Sequence, residues 1–398
     1  MLDLRFLALP TLLIGGAYAA AQPPSIRPLG VLDLGNPISR ATGVSADGAT
    51  VVGESDVGRD RHAFRWTEAT GLVDLGTMEA SGTSSAEDVS DNGQVIVGTA
   101  SINGLDHAFR WTPGGGMVDL GSLGGPTASS AARAVSADGN VVVGSFTTAS
   151  GGGRPFRWTS GGGMVDLGSF PGALGFATAE GVSDSGAVVV GFSNAPASDT
   201  RLLAFRWKGG ITEDLSLKGQ PISAITCVSG DGRFMGGVNS KTLTDEGFRA
   251  SRWTSDGTVQ KFTSQQVGVP FDISLDGGVL VGATIFETDS DTINEATVWI
   301  DGNPQSLAQR LASEGADLSA WSTLSIANAV SENGRVVVGV GTLHPNNDEM
   351  AFRAVLPNRA PTLRAVKVVE VRRLANDVRV SRRRPRTRIA VRSSRSGG

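Results

Sequence analysis

Apolar and polar residues along this chain form a short pattern that returns at a nearly constant interval. In the first copy, Ala41–Gly53, the apolar anchor Val44 is followed by a Ser-Ala-Asp-Gly turn and a second apolar run. Successive anchors lie 45 to 47 residues apart, except for one spacing of 57. A fixed period of this length is typical of repeat architectures. The seven anchors are Val44, Val89, Val135, Val182, Val228, Ile273 and Val330.

Each repeat contains four short runs of β type. The first two flank an Asp-Gly, Asn-Gly or Ser-Gly turn, which favours a hairpin because Gly accepts a positive φ. The third run carries an Ala-Phe-Arg-Trp motif, as in His62–Thr67, and the fourth a Val-Asp-Leu-Gly motif, as in Gly116–Gly121. No apolar spacing of the helical period accompanies them. Four antiparallel strands in about 46 residues is the size of one propeller blade.

The count of these runs predicts how the ring closes. Strands one to three occur seven times, but the last copy of strand four is missing after Ala351–Val355. A matching motif, Gly30–Gly35, stands near the N-terminus instead. We therefore predict an all-β, seven-bladed β-propeller over residues 30–357, whose N-terminal strand completes the last blade and covers its edge. The long spacing holds an insert, Ser306–Trp321, for which we predict a short surface helix capped by Ser306 and stopped by Gly315.

The two ends of the chain differ from the repeats in composition. Arg5, the apolar run Phe6–Ile14 and the small residues that follow are typical of a secretory signal peptide, predicted over residues 1–21 with a linker over 22–29. Arg359–Gly398 contains 13 Lys and Arg but 2 Asp and Glu, whereas the whole chain has a net charge of −4. We predict a basic disordered tail over 358–398. The hypothesis for this tail is that it replaces a C-terminal anchor lost by frameshift or truncation.

Three motifs together resemble the bacterial HAF-repeat extracellular proteins: His-Ala-Phe-Arg-Trp, Gly-Met-Val-Asp-Leu-Gly and Val-Ser-Ala-Asp-Gly. The resemblance covers nearly all of Gly30–Pro357. It implies export, to the cell envelope or the extracellular space, and in some members the repeats form an autotransporter passenger. It implies no particular biochemical activity. This chain departs from those members because the roughly 40 residues after the repeats suffice for only a few strands of an outer-membrane barrel.

Composition limits the chemistry that the chain can carry. One cysteine, Cys227, excludes an internal disulfide framework and a multi-cysteine zinc site, and we expect it to be a small core residue. The only tyrosine, Tyr18, lies in the predicted signal peptide. His62 and His107 occupy one slot on adjacent blades and are expected to diverge, so they do not favour a metal centre. We predict no catalytic site, no cofactor and no metal, and hence no enzyme.

One face of the predicted propeller offers a positive clue to function. The loops from strand two to three and from strand four to the next blade vary, and both lie on the same face of an up-and-down blade. Binding residues often sit on variable loops of a rigid scaffold. At this face we predict a ring of candidate ligand-binding residues around the channel mouth, although such residues can also simply solvate a channel. The ring consists of Thr42, Glu87, Arg133, Glu180, Thr226, Phe271 and Asn328.

These patterns favour a monomeric binding or adhesion module whose ligand is an unidentified glycan or protein. We expect no specific nucleic-acid partner and no transmembrane helix. The alternative is a propeller hydrolase or lyase acting on polysaccharide, with carboxylates drawn from Glu87, Glu180 and Asp272. Asp272, like Asp88, interrupts a slot that holds small residues in the other repeats. Tryptophans inside the repeat are expected to pack between blades, whereas Trp321 lies outside it and is a candidate contact residue.

Overall fold

A computed structural model describes residues 23–169, 175–195, 199–242, 247–262, 267–287 and 292–357. The predicted signal peptide and basic tail lie outside these residues. Seven four-stranded antiparallel blades follow one another along the chain, so the predicted seven-bladed β-propeller is confirmed. Five blades are separate sheets, and the fourth and fifth are joined into one eight-stranded sheet by a parallel pair between Leu202 and Ile222. The first strand of each blade lines the central channel, and the fourth lies at the outer edge.

Blades 1 to 4 follow the repeat order. Blade 1 contains β2 (Ser39–Val44), β3 (Thr50–Val57), β4 (Asp60–Thr67) and β5 (Gly71–Asp74). Blade 2 contains β6 (Ser84–Val89), β7 (Ile96–Ile102), β8 (Leu105–Thr112) and β9 (Gly116–Asp119). Blade 3 contains β10 (Ser130–Val135), β11 (Val141–Thr147), β12 (Gly153–Thr159) and β13 (Gly163–Asp166). Blade 4 contains β14 (Ala177–Val182), β15 (Val188–Asn194), β16 (Leu202–Lys208) and β17 (Ile211–Asp214).

Blades 5 to 7 carry the weaker copies of the repeat. Blade 5 contains β18 (Ile222–Val228), β19 (Phe234–Ser240), β20 (Arg249–Thr254) and β21 (Val259–Lys261). Blade 6 contains β22 (Val267–Ile273), β23 (Val279–Glu287), β24 (Thr292–Ile300) and β25 (Asn303–Ser306), and α1 (Leu307–Ser313) follows it. Blade 7 contains β26 (Trp321–Val330), β27 (Val336–Leu343) and β28 (Asp348–Val355), and its fourth strand is β1 (Ser25–Pro28).

Ring closure by the N-terminus is confirmed, but the strand is not the predicted one. Ser25–Pro28 pairs with β28, and the Leu29 amide donates to the Ala351 carbonyl at 2.9 Å. Gly30–Gly35 is not a strand, and Leu34 is 90% exposed. The length of the loop before β2 explains the difference. The loop from Leu29 to β2 is about as long as the loops that follow the equivalent leucines of the next blades, whereas a loop from Leu34 to β2 would be half as long. The propeller therefore begins before residue 30.

The core consists of apolar clusters between neighbouring blades. Trp253 and Trp299 are 0% and 1% exposed, as expected for packing residues in the repeat. Helix α1 forms as predicted: the Ser306 hydroxyl accepts from the Gln309 amide at 3.3 Å, and Leu307 and Leu311 are fully buried. This helix of seven residues is far too short to cross a membrane, and no other α-helix occurs in the described ranges.

The expectation that Trp321 contacts a ligand is wrong. Its side chain is buried in blade 7, where the ring packs edge-on against Phe352 with centroids 6.0 Å apart. Leu307 and Leu311 of α1 belong to the same cluster. The insert before Trp321 thus adds apolar side chains to the core of the last blade, and Trp321 packs against them.

Candidate functional site

The seven predicted ring residues lie together around the central channel. Each is the extra residue of a β-bulge in the first strand of its blade: Ala41 pairs with Gly53 and Gly43 with Val52, so Thr42 has no cross-strand partner. The same irregularity recurs at each equivalent position of the other six blades. A bulge re-aims the side chain of the extra residue, and here it directs seven side chains at the channel.

A glycine on the second strand makes the bulge possible. A Cβ on Gly144 would lie 1.9 Å from the Ala131 carbonyl oxygen, and one on Gly53 would lie 2.0 Å from that of Arg40. The bulged strand brings its carbonyl against this position, so only glycine fits there. This contact explains why the apolar run of every repeat ends in glycine.

Three of the seven ring side chains are used to hold neighbouring blades together. The Thr42 hydroxyl donates to the Ala86 carbonyl at 2.8 Å, and the Thr226 hydroxyl to the Pro270 carbonyl at 2.7 Å. The Asn328 amide donates to the Ala41 carbonyl at 2.8 Å, across the junction between the last and first blades. These three residues satisfy backbone groups of the inner strands, which is a structural role.

The other four ring side chains present chemistry to the channel. Glu87, Arg133 and Glu180 come from three consecutive blades, and Phe271 from the opposite side is 38% exposed. Arg133 lies 3.7 Å from the Glu87 carboxylate, with 42% of its side chain exposed. Burial raises the pKa of Glu87 to about 7, although the charge of Arg133 opposes the shift. Glu180 forms no ion pair with the described residues. The channel wall therefore offers a cation between two carboxyl groups, facing an aromatic ring.

Asp88 and Asp272 lie directly behind this ring, and their carboxylates join neighbouring blades. Asp272 accepts the Ile273 amide at 2.7 Å and the Val330 amide of the next blade at 2.8 Å. Asp88 does the same with Val89 and Val135, at 2.7 and 2.9 Å. Burial raises the pKa of Asp88 to about 6 and that of Asp272 to about 7, against the effect of these amide donors. Each oxygen of both carboxylates therefore accepts a backbone amide, which gives these two residues a role in joining the blades.

The hairpin turns at the far end of the first strands bring together three carboxylates that the sequence analysis missed. Asp91, Asp184 and Glu332 come from blades 2, 4 and 7, and their oxygen atoms lie within 4.8 Å of one another. Burial and the two aspartates raise the pKa of Glu332 to about 7, and burial raises the pKa of Asp91 and of Asp184. Among the described residues this is the group that can hold a metal ion. In the sequence, each of the three acids directly follows the serine of its hairpin turn. This position varies between repeats, and the acids there were the signal that could have identified the group.

The two histidines and the cysteine considered in the sequence analysis each contact groups of the propeller itself. His62 Nδ1 lies 2.8 Å from the Asp74 carboxylate, and His107 Nδ1 lies 3.0 Å from Asp119, so each histidine pairs within its own blade. Cys227 is buried in the core, and burial raises the pKa of its thiol well above the usual range. These residues are therefore not brought together at any one site.

Comparison with known proteins gives the class of the protein through its fold. No family model and no curated protein matches this chain. Among solved structures it is similar to an oligogalacturonate lyase from Vibrio parahaemolyticus, with a TM-score of 0.55, 12% identity, and coverage of 85% of this chain and 98% of that one. It is also similar to the β-propeller domain of the Trilobed protease from Pyrococcus furiosus, with a TM-score of 0.50, 10% identity, and coverage of 83% and 95%. At these identities the likeness shows a β-propeller and nothing more.

Proposed function

We propose that the protein is an exported binding module whose ligand inserts a polar group into the mouth of the central channel. The observation that carries this proposal is the set of seven bulges. They re-aim one side chain per blade at the same place, and four of those side chains are not needed to hold the blades together. Export rests on the signal-like N-terminus of the sequence.

The dimensions of the channel limit what can enter it. The cavity between the ring residues has a volume of about 140 Å³, well below the roughly 300–1,000 Å³ of a site that encloses a whole small molecule. A single protruding group can enter, such as a sugar ring edge or a side chain, while the rest of the ligand rests on the variable loops.

The ring chemistry favours a carbohydrate among ligands of this kind. Arg133 and the carboxyl groups of Glu87 and Glu180 supply donors and acceptors for hydroxyl groups, and Phe271 supplies an exposed aromatic ring that stacks on apolar sugar faces. The adhesion role proposed here follows from such recognition at a cell surface.

A second candidate, a hydrolase or lyase acting on polysaccharide, rests on Glu87. A carboxyl group with a pKa near 7 exchanges a proton readily at neutral pH, and Arg133 beside it suits an acidic sugar. Asp272 no longer supports this candidate because both of its oxygens accept backbone amides. A mechanism with two carboxyl groups would therefore need Glu87 and Glu180.

A glycan array probed with the full chain tests the proposal. We expect binding to a defined set of glycans that Arg133→Ala and Phe271→Ala abolish. Arg233→Ala is the matched control, because Arg233 is an exposed arginine in a turn outside the channel. Absence of binding, or equal loss in the control, contradicts the proposal. Turnover of a bound glycan, lost in Glu87→Gln while binding persists, would identify the enzyme instead.

A further inference from the structure

Blade 5 departs from blades 1 to 3 at one pair of slots on its outer strands. In blades 1 to 3, a cationic or histidine side chain on strand three lies beside an aspartate on strand four. The distances are 2.8 Å for His62 and Asp74, 3.0 Å for His107 and Asp119, and 3.1 Å for Arg154 and Asp166. This pairing joins the two outer strands of each of these three blades.

Blade 5 keeps the cation but replaces the acid. Ser251 pairs with Lys261 across β20 and β21, as Phe64 pairs with Asp74 across β4 and β5. Arg249 stands two residues before Ser251, in the slot of His62. A basic residue therefore occupies the aspartate slot, and neither Arg249 nor Lys261 forms an ion pair with the described residues. The strand geometry that joins opposite charges in blades 1 to 3 here places two like charges side by side.

These two side chains line a pocket of about 510 Å³ on the variable-loop side of blade 5. Lys241 adds a third cation to its wall, and the wall contains no aspartate or glutamate within the described ranges. Like charges gathered in one place repel one another, so a bound anion would stabilise this arrangement.

Buried amide groups in the wall of this pocket support the same conclusion. Gln220 is 7% exposed. With its side-chain amide oriented to satisfy both neighbours, it accepts from the Lys261 ammonium at 2.7 Å and donates to the Ser240 carbonyl at 3.2 Å, which fixes the position of the lysine. Asn239, 1% exposed, accepts from the Ser223 hydroxyl at 2.8 Å, and its Nδ2 donor has no partner among the described residues. A buried donor without an acceptor is costly. The described part of the wall is thus rich in donors, and one of them, Asn239 Nδ2, has no acceptor there.

We propose that this pocket of blade 5 binds a phosphate or sulfate group, which takes the place of the aspartate carboxylate found in blades 1 to 3. Three cations suit a polyvalent oxyanion better than a single carboxylate, because each can contact a separate oxygen. The pocket is larger than a free ion, so an ester group carried on a larger molecule fits it as well. This site is separate in its residues from the channel ring, and it does not depend on the function proposed for that ring.

Calorimetric titration of the full chain with inorganic phosphate, with sulfate and with a sulfated tetrasaccharide tests the site. We expect all three to bind, and binding to weaken as sodium chloride is raised, since exposed charges are screened. Tighter binding of the tetrasaccharide than of free sulfate identifies an ester as the preferred source, and equal affinity identifies the free ion. If none of the three binds at up to tens of millimolar, the proposal is wrong.

Variants distinguish this pocket from general attraction to positive charge. Lys261→Asp introduces the aspartate found in blades 1 to 4 and should weaken sulfate binding by about tenfold or more, because it both removes a cation and supplies an internal partner for Arg249. Arg249→Gln should weaken it similarly without reversing a charge. Lys208→Asp is the matched control, because this exposed lysine of blade 4 does not line the pocket. Equal weakening in the control would overturn the proposal.

A spectroscopic signal covers the case in which a variant folds poorly. In the unaltered protein, the side-chain amide resonances of Asn239 should shift on addition of sulfate, with the same midpoint as the calorimetric titration. Far-ultraviolet circular dichroism of each variant establishes folding. Binding that leaves the Asn239 resonances unchanged would place the anion elsewhere and contradict the assignment.

Discussion

Substituting Gly144 with alanine tests the link between the repeat glycine and the channel ring. Gly144 faces the bulge of β10, in which Arg133 is the extra residue. An added Cβ would lie 1.9 Å from the Ala131 carbonyl oxygen and 3.0 Å from the Ala132 Cα. A carbon and an oxygen that are not bonded normally stay more than about 3.2 Å apart, so the overlap exceeds 1 Å, and no side-chain rotation relieves it because both partners are backbone.

The size of the effect follows from what has to move. Relief requires β10 to shift or to lose its bulge, and a register change of one residue moves side chains to the opposite face of the strand. Overpacking with backbone displacement costs about 3 kcal/mol or more. For a propeller of this size the entropy of unfolding is about 0.7 kcal/mol/K, so we expect the melting temperature to fall by roughly 4 °C. Arg133 should also lose its place beside Glu87.

Differential scanning calorimetry of the full chain measures this effect. Gly161→Ala is the control: a Cβ there meets no atom within 4 Å, and its φ is not in the left-handed region, so the melting temperature should change little. If Gly144→Ala melts within a degree of the unaltered protein, the bulge does not depend on this glycine, and our account of the ring is wrong.

Three further predictions concern charge and ring closure. The propeller should melt at a higher temperature at pH 5 than at pH 8. The folded protein raises the pKa values of Asp88, Asp272 and Glu332 to about 6, 7 and 7, so the stability that comes from their protonated forms is lost as the pH rises from about 4 through 7. A melting temperature that does not change with pH in calorimetry would contradict this. Glu332→Gln should raise the melting temperature at pH 8 and reduce that slope, and an unchanged slope would show that the three turn carboxylates do not interact. A chain beginning at Gly30 should melt lower and associate through the bare edge of β28, because it lacks Ser25–Pro28; full stability in calorimetry and a monomer in sedimentation would refute the pairing.

The fold could be predicted from the sequence because every blade repeats the same local signals. The Asp-Gly and Asn-Gly turns and the Phe-Arg-Trp strands recur at one period, so an error in one copy is corrected by the others. The closing strand occurs once and has no such check. Gly30–Gly35 matches the motif better than Ser25–Pro28 does, yet loop length selects the latter. The predicted closing strand was chosen by its match to the motif, whereas the length of the loop before β2 determines which segment forms the strand.

The candidate site could be predicted only in part. The repeat slot identified the seven ring residues, but their division into blade-joining and free side chains depends on hydrogen bonds such as that from Asn328 to Ala41. The convergence of Asp91, Asp184 and Glu332 depends on distances across the channel between blades that are not adjacent in sequence. A one-dimensional period places residues on equivalent strands, but it does not say which blades face one another.

Departures from the repeat are the best guide to function in this protein. Where packing or turn geometry sets the residue, as at Gly144 or the turn serines, the copies agree. The bulge position constrains only the backbone, so its side chain is free to differ, and it carries Glu87, Arg133 and Phe271 in different blades. Lys261 differs for another reason, because it stands where blades 1 to 3 have the aspartate of an ion pair, and the anion proposed for blade 5 would take that place. A position whose side chain the fold does not constrain, such as the bulge residue, can be selected for binding. A residue that removes a stabilising contact of the repeat, such as Lys261, indicates instead that a bound ligand supplies the missing contact.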